Sequence, residues 1–354
     1  MSGAARPEGT AGTMRMPTSL PRIPEGTAPP QTSWDSLAAH VLEGGSLNPE
    51  QGRAVLRAED AELLELLAAA YRVRFRWHGN RMHLNFLINA KSGRCGEDCA
   101  YCSQSRVSAA EIPVYDLITP EQLLDGARLA AERGARTYCT AISGLSPSRR
   151  DLDVISGVVP RIKAAYALKV CLSPGLLDRE QAACLKAAGV DRINHNLNTS
   201  ERFYPRICST HRYEDRLRTL RAVRSAGMEI CSGGIVGMGE EEADVVELAL
   251  RLGELGAEAV PVNFFQPIPG TPLANLRRLN PRYCLKVLAL FRLANPRCEL
   301  RIAAGREMHL GSLQALGLFA ADSIFVGDYL TTKGQTPDDD YRMIDELGFE
   351  AVVD

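Results

Sequence analysis

Short apolar runs alternate with capped helical segments along most of the chain, and this alternation constrains the fold more than any other feature. Such alternation is typical of βα units that build a parallel sheet. Eight strands favour an α/β fold of the (β/α)8 TIM-type barrel, whose active site lies at the C-terminal ends of the strands. An open Rossmann-type sheet is the alternative, but no G-x-G-x-x-G sequence opens the first helix. The eight runs are residues 82–90, 136–142, 168–173, 192–198, 228–236, 259–266, 299–305 and 323–328.

The chain of 354 residues divides into three predicted regions. Residues 1–33 are rich in Pro, Gly, Thr and Ser and lack an apolar run, so we predict a disordered leader. A transit peptide is the alternative, but the proline content disfavours the amphipathic helix that such a peptide needs. Residues 34–80 predict an N-terminal helical cap, with Asn48-Pro49 as a helix start, and residues 81–354 predict the barrel.

Charge and cysteine content limit the partners and the compartment. The formal net charge of -2 gives no electrostatic reason to expect nucleic acid or an anionic membrane as a partner. No apolar run approaches the roughly 20 residues that span a bilayer. Ten cysteines are too sparse for a disulfide scaffold, so we predict a cytoplasmic protein in which clustered cysteines indicate metal binding or catalysis.

Three cysteines follow the first predicted strand at C-x3-C-x2-C spacing: Cys95, Cys99 and Cys102. On a loop with two glycines, three thiolates can hold three corners of an iron-sulfur cubane. A structural zinc site is the alternative, but it needs four ligands, and no His or further Cys lies between Ser103 and Tyr138. Three protein ligands leave one iron open, and an open iron can chelate a small molecule.

This motif resembles the cluster loop of radical S-adenosylmethionine enzymes, and its flanking residues resemble the biotin synthase family. The match runs from about residue 80 to 350. The resemblance implies that Cys95, Cys99 and Cys102 hold a [4Fe-4S] cluster, whose open iron binds S-adenosylmethionine and cleaves it to a 5'-deoxyadenosyl radical. It also implies that the radical abstracts hydrogen from dethiobiotin, and that Tyr101 lies near the adenine. From the residues alone, Tyr101 could equally pack in the core.

A second set of cysteines lies within the predicted strands: Cys139, Cys171 and Cys231, on strands two, three and five. Any one of them could be a small buried hydrophobe. If all three point inward, they converge on one interior volume. The resemblance implies that they ligate an auxiliary [2Fe-2S] cluster, the source of the sulfur in biotin. The remaining cysteines are predicted to be structural or incidental: Cys184, Cys208, Cys284 and Cys298.

Arg301 lies on the predicted seventh strand, within the barrel wall. A guanidinium has no free lone pair, so the residue alone indicates an ion pair or a contact with a substrate carboxylate. The resemblance instead implies that Arg301 is an unusual fourth ligand of the auxiliary cluster. Arg306, five residues further along, is predicted to face the rim of the barrel.

Two segments are implied to contact S-adenosylmethionine. Asn196 and Asn198 alternate with Leu197 along predicted strand four, so both amide side chains can face the same side of the strand and hydrogen-bond a ribose. His195, which directly precedes Asn196, is interpreted as structural rather than catalytic. The glycine-rich end of strand five lets a flat ring approach the backbone, and the resemblance implies adenine contacts at Ile235 and Val236.

The substrate side is implied by three further positions. Asn263 on strand six matches a substrate-contacting Asn of the family, and Thr331 and Thr332 match a segment near the substrate's ring. On their own, the two threonines would indicate a helix cap or a turn. The family also implies a flavodoxin or ferredoxin system as electron donor and a homodimer. Alternatives are a relative of the hydrogenase maturase or methylornithine synthase type and a non-catalytic zinc-binding regulator.

Overall fold

Parallel strands form a closed ring in which the first barrel strand pairs with the last. The computed structural model describes residues 33–93 and 95–352, so the predicted leader lies outside the described residues except for Ser33. The strands pair in chain order, and β9 returns to β1. The strands are β1 (Arg81–Lys91), β2 (Thr137–Ile142), β3 (Lys169–Ser173), β4 (Arg192–Asn194), β5 (Glu229–Cys231), β6 (Gly234–Val236), β7 (Ala259–Phe264), β8 (Glu299–Ile302), β9 (Ser323–Phe325) and β10 (Glu350–Val352).

Helices connect successive strands of the barrel, as βα units require. Their starts follow local capping chemistry: the side chains of Thr119, Ser148 and Asp178 each accept a hydrogen bond from the backbone three residues on. The helices are α1 (Ser33–Leu42), α2 (Pro49–Arg57), α3 (Leu63–His78), α4 (Pro120–Glu132), α5 (Arg149–Ala165), α6 (Arg179–Ala187), α7 (Tyr213–Ser225), α8 (Glu242–Glu254), α9 (Pro281–Ala294), α10 (Arg306–Leu310), α11 (Gln314–Gly317) and α12 (Pro337–Glu346).

The barrel confirms the predicted architecture, and the observed strands differ in extent from the predicted ones, most of all in predicted strands four and five. Predicted strand five divides into β5 and β6, because the Gly233 N–H is donated to the Asn196 side chain at 3.0 Å instead of to a neighbouring strand. A Cβ on Gly233 would lie 1.9 Å from the Pro261 carbonyl oxygen, so this close approach requires glycine. Predicted strand four ends at Asn194, after which the chain bulges and pairs again only at Asn198.

The N-terminal ends of the strands are covered by helices and by one extra strand. Helices α2 and α3 pack against α9, and β10 pairs with the start of β1. Arg74 of α3 is fully buried and donates to the carbonyl oxygens of Ala321 and Arg81, at 2.9 Å and 3.0 Å. These bonds tie the helices to the ends at which β9 and β1 begin. Among the described residues, no helix has both the length and the apolar character needed to cross a membrane.

Arg306 contradicts the prediction that it faces the rim. Its side chain is buried and pairs with Asp340 of α12 at 2.7 Å and with Glu307 at 3.0 Å. The chain turns at Gly305, whose φ is 86°, so α10 begins at Arg306 instead of continuing the line of β8. The guanidinium therefore points into the protein, where a buried carboxylate compensates its charge.

Candidate active site

A cavity of about 240 Å³ opens at the C-terminal ends of the barrel strands. It lies where a (β/α)8 barrel places its active site. Most of the residues singled out from the sequence line it, and they come from distant parts of the chain. These lining residues are Tyr101, Cys102, Cys139, Cys171, Asn196, Ile235, Asn263, Arg301, Thr331 and Thr332. Five predicted site residues, all within the described ranges, lie behind this lining: Cys95, Cys99, Cys231, Asn198 and Val236.

The loop cysteines follow β1 on a segment held by backbone turns. The Cys102 N–H donates to the Cys99 carbonyl at 3.1 Å, and the Gly93 N–H donates to the Gln104 side chain at 2.9 Å. Gly93 has a φ of 69°, which glycine adopts without strain, and a Cβ added at this position would lie 2.8 Å from the Val114 side chain. The turn therefore gathers three cysteines beside the cavity, and all of them are free thiols.

Burial and neighbouring thiols raise the pKa values of two of these cysteines, Cys99 and Cys102. The pKa of Cys99 is raised by its hydrogen bond with Cys208 and by burial, and the Cys102 charge raises it further. Burial raises the pKa of Cys102, and the Cys95 charge adds to this. Thiols close enough to repel one another as thiolates suit a shared cationic iron cluster, which deprotonates its ligands. The three residues therefore fit the [4Fe-4S] cluster that the loop motif implies.

The strand cysteines occupy the barrel interior. Cys139 and Cys171 are directly opposite each other on β2 and β3, and Cys231 ends β5. All three are buried in one cluster with Phe325 and Tyr329. The Asn194 side chain donates to the Cys231 sulfur at 3.1 Å. The inward convergence that the sequence left open is therefore present, and it comes from the register of adjacent strands.

Two buried arginines lie beside this thiol set. The pKa of Cys171 is raised well above its usual value by its contacts with Cys139 and Cys231. The pKa of Cys231 falls to about 6, because its hydrogen bond with Cys171 and the positive charges of Arg301 and Arg192 outweigh burial. A thiolate in this interior thus has cationic neighbours, and the three sulfurs fit the thiolate ligands implied for a [2Fe-2S] cluster.

Arg301 is held by a polar network on the barrel floor. Its Nη2 donates to Glu299 Oε1 at 2.5 Å and to Asn85 Oδ1 at 2.7 Å, and its Nε donates to Ser323 at 3.2 Å. Burial alone would lower the pKa of Arg301, but the Glu299 carboxylate raises it above its usual value. The ion pair expected from the residue alone is therefore present. The same guanidinium also lines the cavity.

Tyr101 and Asn198 meet at the side of the cavity nearest the cysteine loop. The Asn198 amide donates to the Tyr101 hydroxyl at 2.6 Å. Asn198 has a φ of 72°, a left-handed conformation that Asn tolerates better than most residues. Asn196 and Asn198 therefore do not alternate along a strand: Asn196 faces the cavity, and Asn198 lies behind Tyr101. Burial raises the pKa of Tyr101 well above its usual value, so the hydroxyl stays neutral.

Ile235 and Val236 separate onto opposite faces of β6. Ile235 lines the cavity, whereas Val236 is buried in the hydrophobic core. Adjacent strand residues point to opposite faces, so only one of the pair can contact a ligand there. The adenine contact implied at Val236 therefore has no side-chain basis in this structure, and Ile235 keeps that position.

Asn263 and the two threonines form further parts of the cavity wall, and Asn263 pairs with Ile235 across β6 and β7. The Asn263 side chain bridges Gly234 O at 3.0 Å and the Ala304 N–H at 3.2 Å, so it joins two neighbouring strand ends. Thr331 lies 3.0 Å from the Ser103 hydroxyl of the cysteine loop. Thr332 donates to Gln266 Oε1 at 3.1 Å. The segment that carries both threonines therefore crosses the mouth and links the two sides.

Sequence reasoning missed several residues of this region. Gln266, Tyr329 and Ser173 line the cavity, although only their neighbours were singled out. Cys208 was predicted to be incidental, yet its sulfur lies 3.8 Å from that of Cys99. The C-x2-H spacing of Cys208 and His211 is a sequence signal that could have directed attention to this pair.

Similar proteins identify both halves of the barrel. Residues 90–252 match the Radical SAM superfamily, and residues 261–350 match the Biotin and Thiamin Synthesis associated domain. The chain is 53% identical over 325 residues to the biotin synthase of Rhodopirellula baltica, covering 92% of this chain and 90% of that protein. It is 48% identical over 317 residues to the biotin synthase of Bacillus subtilis, covering 90% of this chain and 95% of that protein.

Solved structures show the same fold at low sequence identity. A methylornithine synthase matches with a TM-score of 0.78 and 21% identity, over 89% of this chain and 97% of that chain. An FeFe-hydrogenase maturase from Carboxydothermus hydrogenoformans matches with a TM-score of 0.75 and 16% identity, over 89% of this chain and 78% of that chain. These likenesses confirm the predicted barrel fold.

Proposed function

The chain belongs to the biotin synthase family of radical S-adenosylmethionine enzymes, and from that premise we propose how its residues divide the conversion of dethiobiotin to biotin. The family uses a [4Fe-4S] cluster, S-adenosylmethionine and an auxiliary [2Fe-2S] cluster. In this division Cys95, Cys99 and Cys102 hold the first cluster. The second is held by Cys139, Cys171, Cys231 and Arg301. When bound, the first cluster supplies the electron that cleaves S-adenosylmethionine, and the second supplies the sulfur.

One observation carries this assignment: members of both cysteine sets line a single cavity together with Arg301, namely Cys102 of the loop set and Cys139 and Cys171 of the strand set. A radical generated beside the loop cysteines can then reach a substrate that also lies close to the strand cysteines. The zinc-regulator alternative gives no reason for two thiol sets on one cavity. The maturase and methylornithine alternatives are disfavoured because those structures are at most 21% identical to this chain.

The cavity wall is suited to carbon radicals because much of it is apolar. Leu87, Ile235, Phe264, Phe265 and Phe325 are among its lining residues. These side chains exclude water from the space between the two thiol sets. Exclusion of water limits side reactions of a reactive intermediate.

The two small molecules occupy adjoining parts of this cavity in our assignment, because Ile235 and Asn263 are neighbours across β6 and β7. Tyr101, Asn196 and Ile235 serve the S-adenosylmethionine side, with Asn198 supporting Tyr101 through its hydrogen bond. Asn263, Thr331 and Thr332 serve dethiobiotin. Ser103 and Thr331 lie 3.0 Å apart, so the two sides meet at the mouth.

Partners and location extend the same proposal. A flavodoxin or ferredoxin system delivers the electrons, and the enzyme works as a homodimer, as the family resemblance implies. The ten free cysteines are compatible with the reducing cytoplasm. The net charge of -2 favours neither nucleic acid nor a membrane surface as a partner. In this proposal residues 34–80 serve as a helical cap on the barrel.

An anaerobic reconstitution tests the proposal. The purified chain is loaded with iron and sulfide, and iron content and electron paramagnetic resonance (EPR) spectra are recorded. Dethiobiotin, S-adenosylmethionine and a reductant are then added, and 5'-deoxyadenosine and biotin are quantified. We expect both products. A chain that takes up both clusters and cleaves S-adenosylmethionine without forming biotin would contradict the assigned sulfur transfer.

A further inference from the structure

Cys208 lies against Cys99, one of the three cysteines of the loop set. The two sulfurs are 3.8 Å apart, and both side chains are buried. The backbone holds the two segments together, because the Ala100 N–H donates to the Ile207 carbonyl at 2.9 Å. The Ser209 N–H donates to the Asp98 carboxylate at 2.9 Å. The sulfur contact is therefore fixed by the backbone on both sides.

His211 orients the Cys208 sulfur. Its Nδ1 lies 2.5 Å from Glu97 Oε2 and 3.4 Å from the Cys208 sulfur. Its Nε2 lies 3.0 Å from Arg216 Nη2, and a guanidinium can only donate. The Tyr204 hydroxyl lies 2.8 Å from the same Nε2 and can donate or accept, so the contacts of Nε2 do not fix the position of the proton. The Glu97 carboxylate can only accept, so Nδ1 carries a hydrogen, which faces Glu97 and Cys208.

The hydrogen on His211 Nδ1 decides whether Glu97, Cys208 and His211 can bind a metal ion or only form hydrogen bonds with one another. The ligand atoms of Glu97, Cys208 and His211 all lie within 4.8 Å of one another, which would suit a separate metal ion. A metal would need the lone pair of His211 Nδ1, but that atom carries a hydrogen as long as it donates to the Glu97 carboxylate. The arrangement therefore favours hydrogen bonding over metal binding.

We propose that Cys208 is a positioning residue for the radical-generating cluster, donating its S–H to the Cys99 sulfur while the Nδ1–H of His211 holds the Cys208 sulfur in place. This rests on the proposed role of Cys99 as a cluster ligand. In the structure the Cys99 S–H donates to the Cys208 sulfur. A ligating Cys99 is a thiolate, which can only accept, so the bond then reverses and Cys208 becomes the donor. Hydrogen bonds to cluster sulfurs help set the reduction potential, and this one raises it.

The test compares variants at Cys208 with a thiol removed elsewhere. Cys208→Ala deletes the donor, Cys208→Ser keeps a hydroxyl donor, and Cys184→Ala is the control because Cys184 is an exposed cysteine of α6. Each full-length protein is reconstituted anaerobically, its iron is counted, and the potential of the [4Fe-4S] signal is measured by an EPR-monitored titration without dethiobiotin. We expect a more negative potential for Cys208→Ala, a value nearer the parent for Cys208→Ser, and no change for Cys184→Ala.

A second variant keeps the test decisive if Cys208→Ala fails to hold its cluster. His211→Phe retains both sulfurs and removes the group that orients Cys208, so we expect a smaller shift in the same direction. An unchanged potential in Cys208→Ala with full iron content would overturn the proposal. If Cys208→Ala binds no cluster, an unchanged potential in His211→Phe would overturn it instead. A parent protein that binds no [4Fe-4S] cluster would instead overturn the proposed function, and this inference with it.

Discussion

The loop cysteines and the strand cysteines are two three-thiol sets on one cavity, and different forces position them. The loop set depends on backbone turns around Gly93 and on the contact of Cys99 with Cys208. The strand set depends on sheet register, which places Cys139 opposite Cys171. A turn can adjust to an incoming group, whereas register in a closed barrel is fixed once the barrel forms.

The charges around the two sets differ as well. Near the loop set, neighbouring thiols and burial raise the pKa values of Cys99 and Cys102. Beside the strand set, Arg301 and Arg192 help to bring the pKa of Cys231 down to about 6. The strand set therefore has two buried guanidinium groups beside Cys231, whereas the charge of Arg216 near Cys99 does not outweigh the groups that raise the pKa of Cys99. This contrast suits one site that exchanges a small-molecule ligand and another that is enclosed by the protein.

The largest expected effect separates the two sets by their products. Cys102→Ala removes a ligand of the cluster with the open iron, so 5'-deoxyadenosine should fall to background and no biotin should form. Cys171→Ala removes a ligand only from the proposed sulfur source. That variant should retain the EPR signal of the first cluster and release 5'-deoxyadenosine without biotin. Both products are quantified after anaerobic incubation with dethiobiotin and a reductant.

Matched substitutions at Cys139 and Cys231 extend this test, with Cys284→Ser as a control because Cys284 is a buried cysteine of α9, outside the cavity lining. Biotin formed by any of the strand variants would count heavily against a sulfur donor at that set. Normal iron content in all three strand variants would show that these cysteines are ordinary core residues and not cluster ligands.

The next effect concerns the ion pairs beneath the strand set. Glu299 is buried and bonds Arg192 at 2.8 Å and Arg301 at 2.5 Å. Glu299→Gln leaves two buried guanidinium groups without their shared carboxylate, which should lower the free energy of unfolding by about 3 to 5 kcal/mol. Urea unfolding of the cluster-free protein measures this loss. Iron held by the strand set should fall, while the EPR signal of the loop set remains.

Glu229→Gln is the matched control because Glu229 pairs with the same Arg192 but is 33% exposed. Solvent screens such a pair, so the loss should be about 1 kcal/mol or less. Equal losses in the two variants would show that burial of Glu299 does not govern its contribution.

The barrel was predictable because its signals are local. Apolar runs and capping residues such as Thr119 and Asp178 act within a few residues of their positions. The division of strand five was not predictable, because it depends on the side chain of Asn196 reaching Gly233, a contact between neighbouring strands. The prediction that Arg306 faces the rim was wrong for a similar reason, since its partner Asp340 lies on a different helix.

The candidate site follows the same rule. The spacing of the loop cysteines is a local signal, whereas the sequence left the direction of the strand cysteines open, and the structure places all three in one buried cluster. Cys208 contacts Cys99 across 109 residues of sequence, so no local pattern could pair them. Val236 shows that resemblance identifies a segment more reliably than a single side chain, because its neighbour Ile235 takes the cavity face.

A smaller effect should divide the two ligands across the cavity. Asn263→Ala removes an amide that lines the substrate side, so dethiobiotin binding should weaken by about 1 to 3 kcal/mol. The affinity for S-adenosylmethionine should be nearly unchanged. Titrations of each ligand measure both values. Asn196→Ala is the converse variant, for which S-adenosylmethionine should bind more weakly. The assignment of the two sides fails if Asn263→Ala weakens only S-adenosylmethionine.

The smallest expected effect lies at the mouth, where one hydroxyl contact joins the cysteine loop to the threonine segment. Thr331→Val keeps the shape of the side chain and removes its hydrogen bond with Ser103, a loss of about 0.5 to 1.5 kcal/mol. Because this segment spans both sides of the cavity, the KM for dethiobiotin should rise several-fold while the rate at saturation stays close to that of the parent. Ser103→Ala breaks the same contact from the loop side and should give the same change. If the mouth contact is the cause, the double variant should be no worse than either single variant, because the shared bond can be lost only once. Additive losses would mean that each hydroxyl acts on the ligands separately.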